Sequence, residues 1–112
     1  MAPEANEIRQ ILTREVTVHR ELLVLARVKH CLLRQGRWAE AMQLTAVEAS
    51  HIMALRALER RRGGLMVKSP EVLADLSWAR RRIATLVRNL GAVERSNLSL
   101  WTRYFWQRLN MN

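Results

Sequence analysis

The sequence is poor in the residues that interrupt helices or cross-link chains. Its 112 residues include two prolines and four glycines, which leave little room for loops. A single cysteine excludes an internal disulfide framework and is typical of proteins in reducing compartments. Only six residues are aromatic, namely four tryptophans, one tyrosine and one phenylalanine. These scarcities leave little loop and no disulfide to stabilise the fold, and the hydrophobic fraction of 49% is enough for a core.

Long apolar runs are also missing. No stretch approaches the roughly 18 consecutive apolar residues that a transmembrane helix requires, so membrane insertion is not expected. The opening residues, MAPEANEIRQ, have no cationic region followed by an apolar one, so we expect no signal peptide. Together with the single cysteine, these features predict a cytoplasmic protein. The length predicts one domain, residues 1–112, with a modest core.

Basic residues are abundant. Nineteen lysines and arginines against ten acidic residues give a formal net charge of +9, which makes nucleic acid a candidate partner. Two arginine runs are consecutive, Arg60–Arg62 and Arg80–Arg82. Consecutive helical residues point about 100° apart, so neither run forms a stripe on one face. We therefore interpret the charge as a solvated helix surface and keep a nucleic-acid-binding or other interaction module as the alternative.

Three segments carry apolar residues at alternating spacings of three and four, the pattern of helices that pack along a seam. The first seam is Ile8, Ile11, Glu15, Val18, Leu22, Leu25, Lys29 and Leu32. The second is Ala41, Leu44, Glu48, His51, Leu55, Leu58 and Arg62, with Ile52 beside it. The third is Leu76, Ala79, Ile83, Leu86, Leu90, Val93, Asn97, Leu100 and Tyr104.

These seams predict an all-α fold of three long antiparallel helices, over about 4–35, 37–62 and 70–109, in a coiled-coil-like bundle. Gly36 suits the end of the first helix. The stretch GGLMVKSP interrupts the pattern after residue 62, and Ser69-Pro70-Glu71 is typical of a helix start.

Four polar residues interrupt the seams, namely Glu15, Lys29, Glu48 and Asn97. Buried polar groups in coiled coils are best known for fixing register at some cost in stability. We therefore predict that all four lie in the interface. On this interpretation, replacing Asn97 with leucine raises thermal stability.

The aromatic residues concentrate near the C-terminal end of the sequence. At about 1.5 Å per residue the three helices span roughly 48, 39 and 60 Å, so the last eight or so residues of the third helix overhang the first. The apolar arc there is wider than one seam needs, which is typical of a partner-binding surface. The predicted surface comprises Leu98, Trp101, Phe105, Trp106 and Leu109, with Arg103 and Arg108 at its rim.

Two further expectations follow from the same surface. Left uncovered, it predicts that the protein forms a homodimer through its third helix when no partner is bound. The competing interpretation is a purely structural cap, in which this segment folds over Trp38, with Trp101 or Phe105 as the contact.

Material for catalysis or metal binding is thin. Glu48 and His51 have the Glu-x-x-His spacing of di-iron bundles, but such sites need a second copy and further Glu ligands. Glu15 and His19 are spaced by four residues, and this Glu–His spacing has no second copy either. No phosphate-binding Gly-rich loop or zinc motif is present. We expect no cofactor, no metal and no enzymatic activity; the open alternative is a small helical mutase whose scattered Arg and Lys residues hold a dicarboxylate.

The stretch from residue 11 to 62 resembles the N-terminal helical hairpin of FlgN-type flagellar export chaperones. The resemblance lies in leucine pairs, a charged residue late in the first helix, a Gly-containing turn and a Leu-Glu-x-x-Arg ending. The matching residues are Leu22, Leu23, Lys29, Leu32, Leu33, Gly36, Leu44, Glu48, Leu55, Leu58, Glu59 and Arg62. The stretch VRNLGAVERSNLSL, with Asn97, resembles the third helix of that family.

This resemblance implies a chaperone that holds hook-associated, or hook–filament junction, subunits before flagellar type III export. The implied client contact is between the C-terminal helix of the chaperone and the helical end of the client, which prevents premature assembly. It also makes Tyr104 the candidate for docking on the export gate. Two features differ from the family, which is commonly acidic and often has an acid where this chain has Arg37.

Overall fold

The computed structural model describes residues 3–65 and 70–110, and side chains from 5 to 65 and from 72 to 110. Three α-helices follow one another along the chain: α1 (Pro3–Arg34), α2 (Trp38–Gly63) and α3 (Pro70–Asn110). No strand occurs in this part of the chain, so the predicted all-α class is confirmed. Each observed bound lies within one residue of the sequence estimate. Among these three helices none combines the length and apolarity needed to cross a bilayer.

A tight turn reverses the chain between α1 and α2. Gly36 has φ 74°, a left-handed conformation that only glycine adopts without strain. The amide of Arg37 donates to the Leu32 carbonyl at 2.9 Å and that of Gly36 to the Leu33 carbonyl at 3.1 Å. These two bonds form a Schellman motif, which satisfies carbonyls left free at the end of α1. At the other end of the hairpin α2 ends at Gly63, as its glycine pair predicts, while Ser69 lies outside the described residues.

α1 is the central helix of the fold. It packs against both α2 and α3, whereas no Cα of α2 lies within 8 Å of a Cα of α3 in the described ranges. The main core lies between α1 and α3, where apolar side chains of both helices are buried. Its buried members are Ala5, Ile8, Leu12, Val16, Leu23, Val72, Ala79 and Leu86. Two helices therefore flank a third, and the space between them stays open.

Buried residues follow the predicted seams, but α1 carries two seams rather than one. Toward α2 it buries Ile11, Glu15, Leu22 and Lys29. Toward α3 it buries a second set, which the sequence analysis missed: Ala5, Leu12, Val16, Leu23 and Ala26. Those residues are also spaced by three, four or seven, so the signal was present in the sequence. α2 contributes less to the interior, and its buried residues are Ala41, Glu48 and Leu55.

The four polar residues predicted for the seams are all buried, each at 7% exposure or less. Glu15 accepts two hydrogen bonds from the Arg62 guanidinium, at 2.7 and 3.2 Å. Lys29 donates to Glu48 at 2.6 Å and to Glu94 at 3.2 Å, and so joins all three helices. Because each bond joins residues distant in sequence, a register shift of any helix would separate a buried charge from its partner.

Asn97 is the fourth of these residues and is bonded on both sides of its amide. Its Nδ2 donates to the Ala26 carbonyl at 3.1 Å. Its Oδ1 lies 2.9 Å from Nδ1 of His30 and accepts a hydrogen bond from that nitrogen when the imidazole is protonated at Nδ1. The side chain is 1% exposed. The seam pattern predicted that replacing Asn97 with leucine raises thermal stability. These bonds lead us to expect the opposite, because leucine would remove the hydrogen-bond partner of the part-buried His30 imidazole.

We predict that Asn97→Leu lowers the free energy of unfolding by about 1–3 kcal/mol, the usual cost of leaving a buried polar group without its partner. Chemical denaturation followed by circular dichroism measures the change. Asn89→Leu is the matched control, since Asn89 is exposed on the same helix and should change stability by less than about 0.5 kcal/mol. An Asn97→Leu protein as stable as the parent would show that the bonds to Ala26 and His30 contribute nothing.

Candidate functional site

The gap between α2 and α3 forms a long groove with α1 as its floor. The groove has a volume of about 520 Å³ and mainly apolar walls. We call it the α2/α3 groove. Its lining residues are His19, Leu22 and Lys29 from α1, Thr45, Glu48, Ala49, Ile52 and Leu55 from α2, and Val87, Leu90 and Glu94 from α3.

The walls of the groove are built by second seams on α2 and α3. On α2, Thr45, Ala49 and Ile52 are spaced by four and three, so they lie on one side of the helix. On α3, Val87, Leu90 and Glu94 are spaced in the same way. Ile52 is 41% exposed and Val87 is 47% exposed, although both are large apolar side chains. The groove thus has the geometry of a helical bundle from which one helix is missing.

The floor of the groove is polar and its hydrogen bonds are incomplete. Two buried atoms of the groove lining have no bonding partner among the described residues, Nδ1 of His19 on the floor and Oε1 of Glu94 at the base of the α3 wall. Burial lowers the pKa of the His19 imidazole, although Glu59 and Glu15 pull it upward. Burial also raises the pKa of the Glu48 carboxyl, a shift that Lys29 opposes and Glu94 increases. Both shifts follow from removing ionisable groups from water.

This floor lacks what a dicarboxylate-binding catalytic site needs. Its one lysine, Lys29, is held by two carboxylates, Glu48 and Glu94, and so offers no free cation to an anionic substrate. No group of three or more His, Cys, Asp or Glu side chains that could hold a metal ion occurs within the described ranges. Glu48 bonds Lys29, while His51 bonds Glu21, so the Glu-x-x-His pair points to two different neighbours.

An aromatic cluster closes one end of the groove. Trp38, at the start of α2, stacks on Tyr104 of α3 with ring centroids 4.1 Å apart. Trp101 lies against the same indole, with centroids 5.9 Å apart, and Phe105 stacks on Trp101 at 5.7 Å. Trp38 therefore contacts Trp101, as one expectation had it, and its closest ring partner is Tyr104. We call Trp38, Trp101 and Tyr104 the aromatic cluster.

The residues predicted as a partner-binding surface divide into two groups. Trp101 is half-buried in the aromatic cluster. The other four are exposed, at 65% for Leu98, 52% for Phe105, 64% for Trp106 and 72% for Leu109. The cap and the exposed surface, treated as alternatives in the sequence analysis, thus occur together. Arg103 is exposed beside them, and Arg108 donates to the Tyr104 hydroxyl at 2.7 Å.

Three of the four exposed residues continue the wall of the groove. Leu98, Phe105 and Leu109 follow Glu94 at spacings of four and seven, so they lie on the side of α3 that faces the groove. We call these three residues the tail strip. Trp106 follows Phe105 directly and points about 100° away from it, so it lies off this strip. Tyr104, the candidate for gate docking, has one ring face covered by Trp38.

The position of His19 on the groove floor yields a pH prediction. Its ordinary pKa is 6.5 and its folded-state pKa is lower, so below pH 6.5 the unfolded chain gains a proton that the folded chain resists. This contribution to stability is complete above pH 6.5 and is lost as the pH falls below it. We predict that His19→Leu reduces the drop in melting temperature between pH 7.5 and pH 5.5.

The control for this measurement is Ile52→Val, which changes the same groove without removing a titratable group and should keep the parent's pH profile. A His19→Leu protein with the parent's pH profile would show that His19 does not hold its imidazole neutral.

Comparison with known proteins finds no matching family model, no similar curated protein and no similar solved structure.

Proposed function

We propose that the protein is a cytoplasmic export chaperone, without enzymatic activity or cofactor, that holds the helical ends of hook-associated subunits before flagellar type III export. The class of client comes from the resemblance of residues 11–62 and of the Asn97 region to FlgN-type chaperones. The observation that carries the proposal is the α2/α3 groove, continuous with the tail strip on α3.

A client helix lying in the groove would complete a four-helix bundle. The walls already present apolar side chains at helical spacing, including Ile52 and Val87, which water now covers. Burying apolar surface stabilises a complex by about 25 cal/mol per Å² before the costs of association are subtracted. Client ends that form coiled coils after assembly expose apolar heptads beforehand, and such a helix-in-groove complex covers them.

The unpaired atoms of the groove lining add a requirement for the client. Within the described ranges Glu94 Oε1 accepts no hydrogen bond, and two carboxylates share the one ammonium of Lys29. A client helix with a hydrogen-bond donor, above all Lys or Arg, at the centre of its apolar face would satisfy Glu94. Because a buried acceptor without a partner costs free energy, a client helix that carries this donor should bind more tightly than an equally apolar helix that lacks it.

Phe105 and Leu109 of the tail strip extend the same surface beyond the end of α1. The bonds of Asn97 place it level with residues 26–30, so Arg34 is about level with residue 103 and the following seven residues project. The tail strip there is the surface through which we propose that client-free protein forms a homodimer. Docking on an export gate through Tyr104 is part of the proposal and requires access to the ring edge that Trp38 leaves uncovered.

We predict that Ile52→Lys and Phe105→Lys each weaken client binding at least tenfold, because each places a charge on an apolar contact of the bound helix. Titration calorimetry with purified hook-associated subunits from a flagellated bacterium measures the affinity. The controls are Met53→Lys, 72% exposed beside Ile52 but not lining the groove, and Trp106→Lys, which lies off the tail strip.

Both control variants should bind within about threefold of the parent. If Met53→Lys weakens binding as much as Ile52→Lys does, charge rather than the groove is responsible. If the parent protein binds no hook-associated subunit, the proposed function is wrong.

Truncation tests the dimer and the role of the cluster together. We predict that removing residues 105–112 leaves the melting temperature within a few degrees, because Trp38, Trp101 and Tyr104 remain, and converts the dimer to a monomer. Sedimentation equilibrium gives the mass. Trp38→Ala is the matched comparison: it should lower the melting temperature by many degrees, since truncating a packed Trp costs about 3 kcal/mol or more. A parent protein already monomeric at millimolar concentration would contradict the dimer.

A further inference from the structure

Six exposed arginines of α1 and α3 form no ion pair among the described residues and do not line the α2/α3 groove. On α1, Arg20, Arg27 and Arg34 recur every seven residues and are exposed. On α3, Arg88, Arg95 and Arg103 recur at seven and eight and are exposed as well. Residues seven apart on a helix differ by only about 20° in direction, so Arg20, Arg27 and Arg34 form a row on α1 and Arg88 and Arg95 one on α3. Arg103, eight residues after Arg95, lies about 80° round the helix from it. We call these six residues the arginine ladder.

The two rows of the ladder lie at matching levels on neighbouring helices. The bonds of Asn97 join positions 67 and 71 residues apart, which sets Arg20 level with Arg88 and Arg27 level with Arg95. Arg34 and Arg103 line one shallow hollow, and Arg27 lines another with Ser96 of α3. Seven residues of helix rise about 10.5 Å, so three pairs of guanidinium groups recur over roughly 21 Å.

This ladder adds heptad-spaced arginines to the consecutive runs considered in the sequence. The consecutive run Arg80–Arg82 forms no stripe, as expected, but one of its members, Arg81, precedes Arg88 by seven residues and extends the α3 row. The stripe is made by arginines at heptad spacing, which inspection of consecutive runs does not find.

Acidic side chains do not neutralise the ladder. Seven acids form ion pairs with bases located elsewhere: Glu7 with Arg61, Glu15 with Arg62, Glu21 with His51, Glu40 with Arg37, Asp75 with Arg9, and Glu48 and Glu94 with Lys29. None of the six ladder arginines forms an ion pair within the described residues. Seven of the acids are thus committed to other bases, and a second copy of the chain would bring the same cationic excess.

We propose that the arginine ladder binds the phosphate backbone of nucleic acid without sequence specificity. Phosphates are bound by guanidinium groups together with neutral donors, and Asn89, Ser96 and Ser99 are exposed on α3 between the ladder arginines. The ladder is separate from the α2/α3 groove, so this inference does not depend on the chaperone proposal.

The test is fluorescence anisotropy with the full chain and two labelled probes of unrelated sequence, a 20-nucleotide single strand and a 20-base-pair duplex. Six phosphate contacts predict that affinity for the duplex falls about a thousandfold between 50 and 200 mM salt. The triple variant Arg27→Gln, Arg88→Gln, Arg95→Gln should roughly halve the slope of log affinity against log salt.

The matched control removes the same charge elsewhere. Arg14, Arg56 and Arg60 are exposed and their side chains form no ion pair among the described residues, so their triple glutamine variant should keep most of the parent's salt slope. Equal losses in the two triple variants would overturn the ladder as a site, because net charge alone would then account for binding. Melting curves establish that both variants are folded.

Two competitors complete the test. Polyglutamate represents an acidic protein, and phosphatidylserine vesicles represent an anionic membrane. We expect nucleic acid to bind more tightly than either at equal charge concentration. Tighter binding to polyglutamate or to the vesicles, with the same dependence on Arg27, Arg88 and Arg95, would overturn the assignment of the partner. No detectable binding of the parent protein to either nucleic-acid probe at 50 mM salt would overturn the proposal altogether.

Discussion

The two-sided burial of α1 is the constraint on which the rest of the molecule depends. α1 buries one seam against α2 and another against α3, while α2 and α3 have no backbone contact within 8 Å of Cα separation in the described ranges. A helix with two apolar faces can hold two neighbours, but those neighbours need not meet. The groove between α2 and α3 therefore follows from the distribution of apolar residues on α1. It exists although both apolar faces of α1 are buried.

Buried polar residues decide how the three helices are aligned. Lys29 bonds Glu48 of α2 and Glu94 of α3, Glu15 bonds Arg62 of α2, and Asn97 of α3 bonds Ala26 and His30 of α1. Apolar heptads tolerate a shift of seven residues, since leucine would replace leucine. These polar contacts do not tolerate one, because each shift would strand a buried charge or amide. The register that places Phe105 and Leu109 beyond the end of α1 is set in this way.

Much of the fold could be predicted from the sequence, because periodicity alone marks helices and seams. The helix bounds and all four buried polar residues were found by spacing. The second seam of α1 was missed although its spacing is present in the sequence, because Leu12, Val16 and Leu23 alternate with residues of the first seam in the same stretch. Without that seam the open side of the bundle could not be foreseen, because three helices packed mutually would leave no groove.

The candidate site was predicted in part, for a reason that lies in the geometry of a single helix. A helical wheel places Trp101, Phe105 and Trp106 on a wide arc but does not say which portion a neighbour covers. In the structure Trp38 packs against Tyr104 and Trp101, whereas Leu98, Phe105 and Leu109 stay exposed. The unpaired atoms of His19 and Glu94 have no sequence signal, since they depend on which neighbours come within bonding distance.

The two ends of α2 are held by interactions that differ in their dependence on ionic strength. At its start, Trp38 is held by stacking on Tyr104, which ionic strength hardly affects. At its end, Arg61 and Arg62 are held by Glu7 and Glu15 of α1, and the pair of Arg61 with Glu7 is largely exposed. Exposed ion pairs are screened over a Debye length of about 10 Å at 0.1 M salt, and partly buried ones less so. Rising ionic strength should therefore weaken the attachment of the C-terminal end of α2 to α1 while its N-terminal end stays packed on Tyr104. The groove would then widen at the end away from the aromatic cluster.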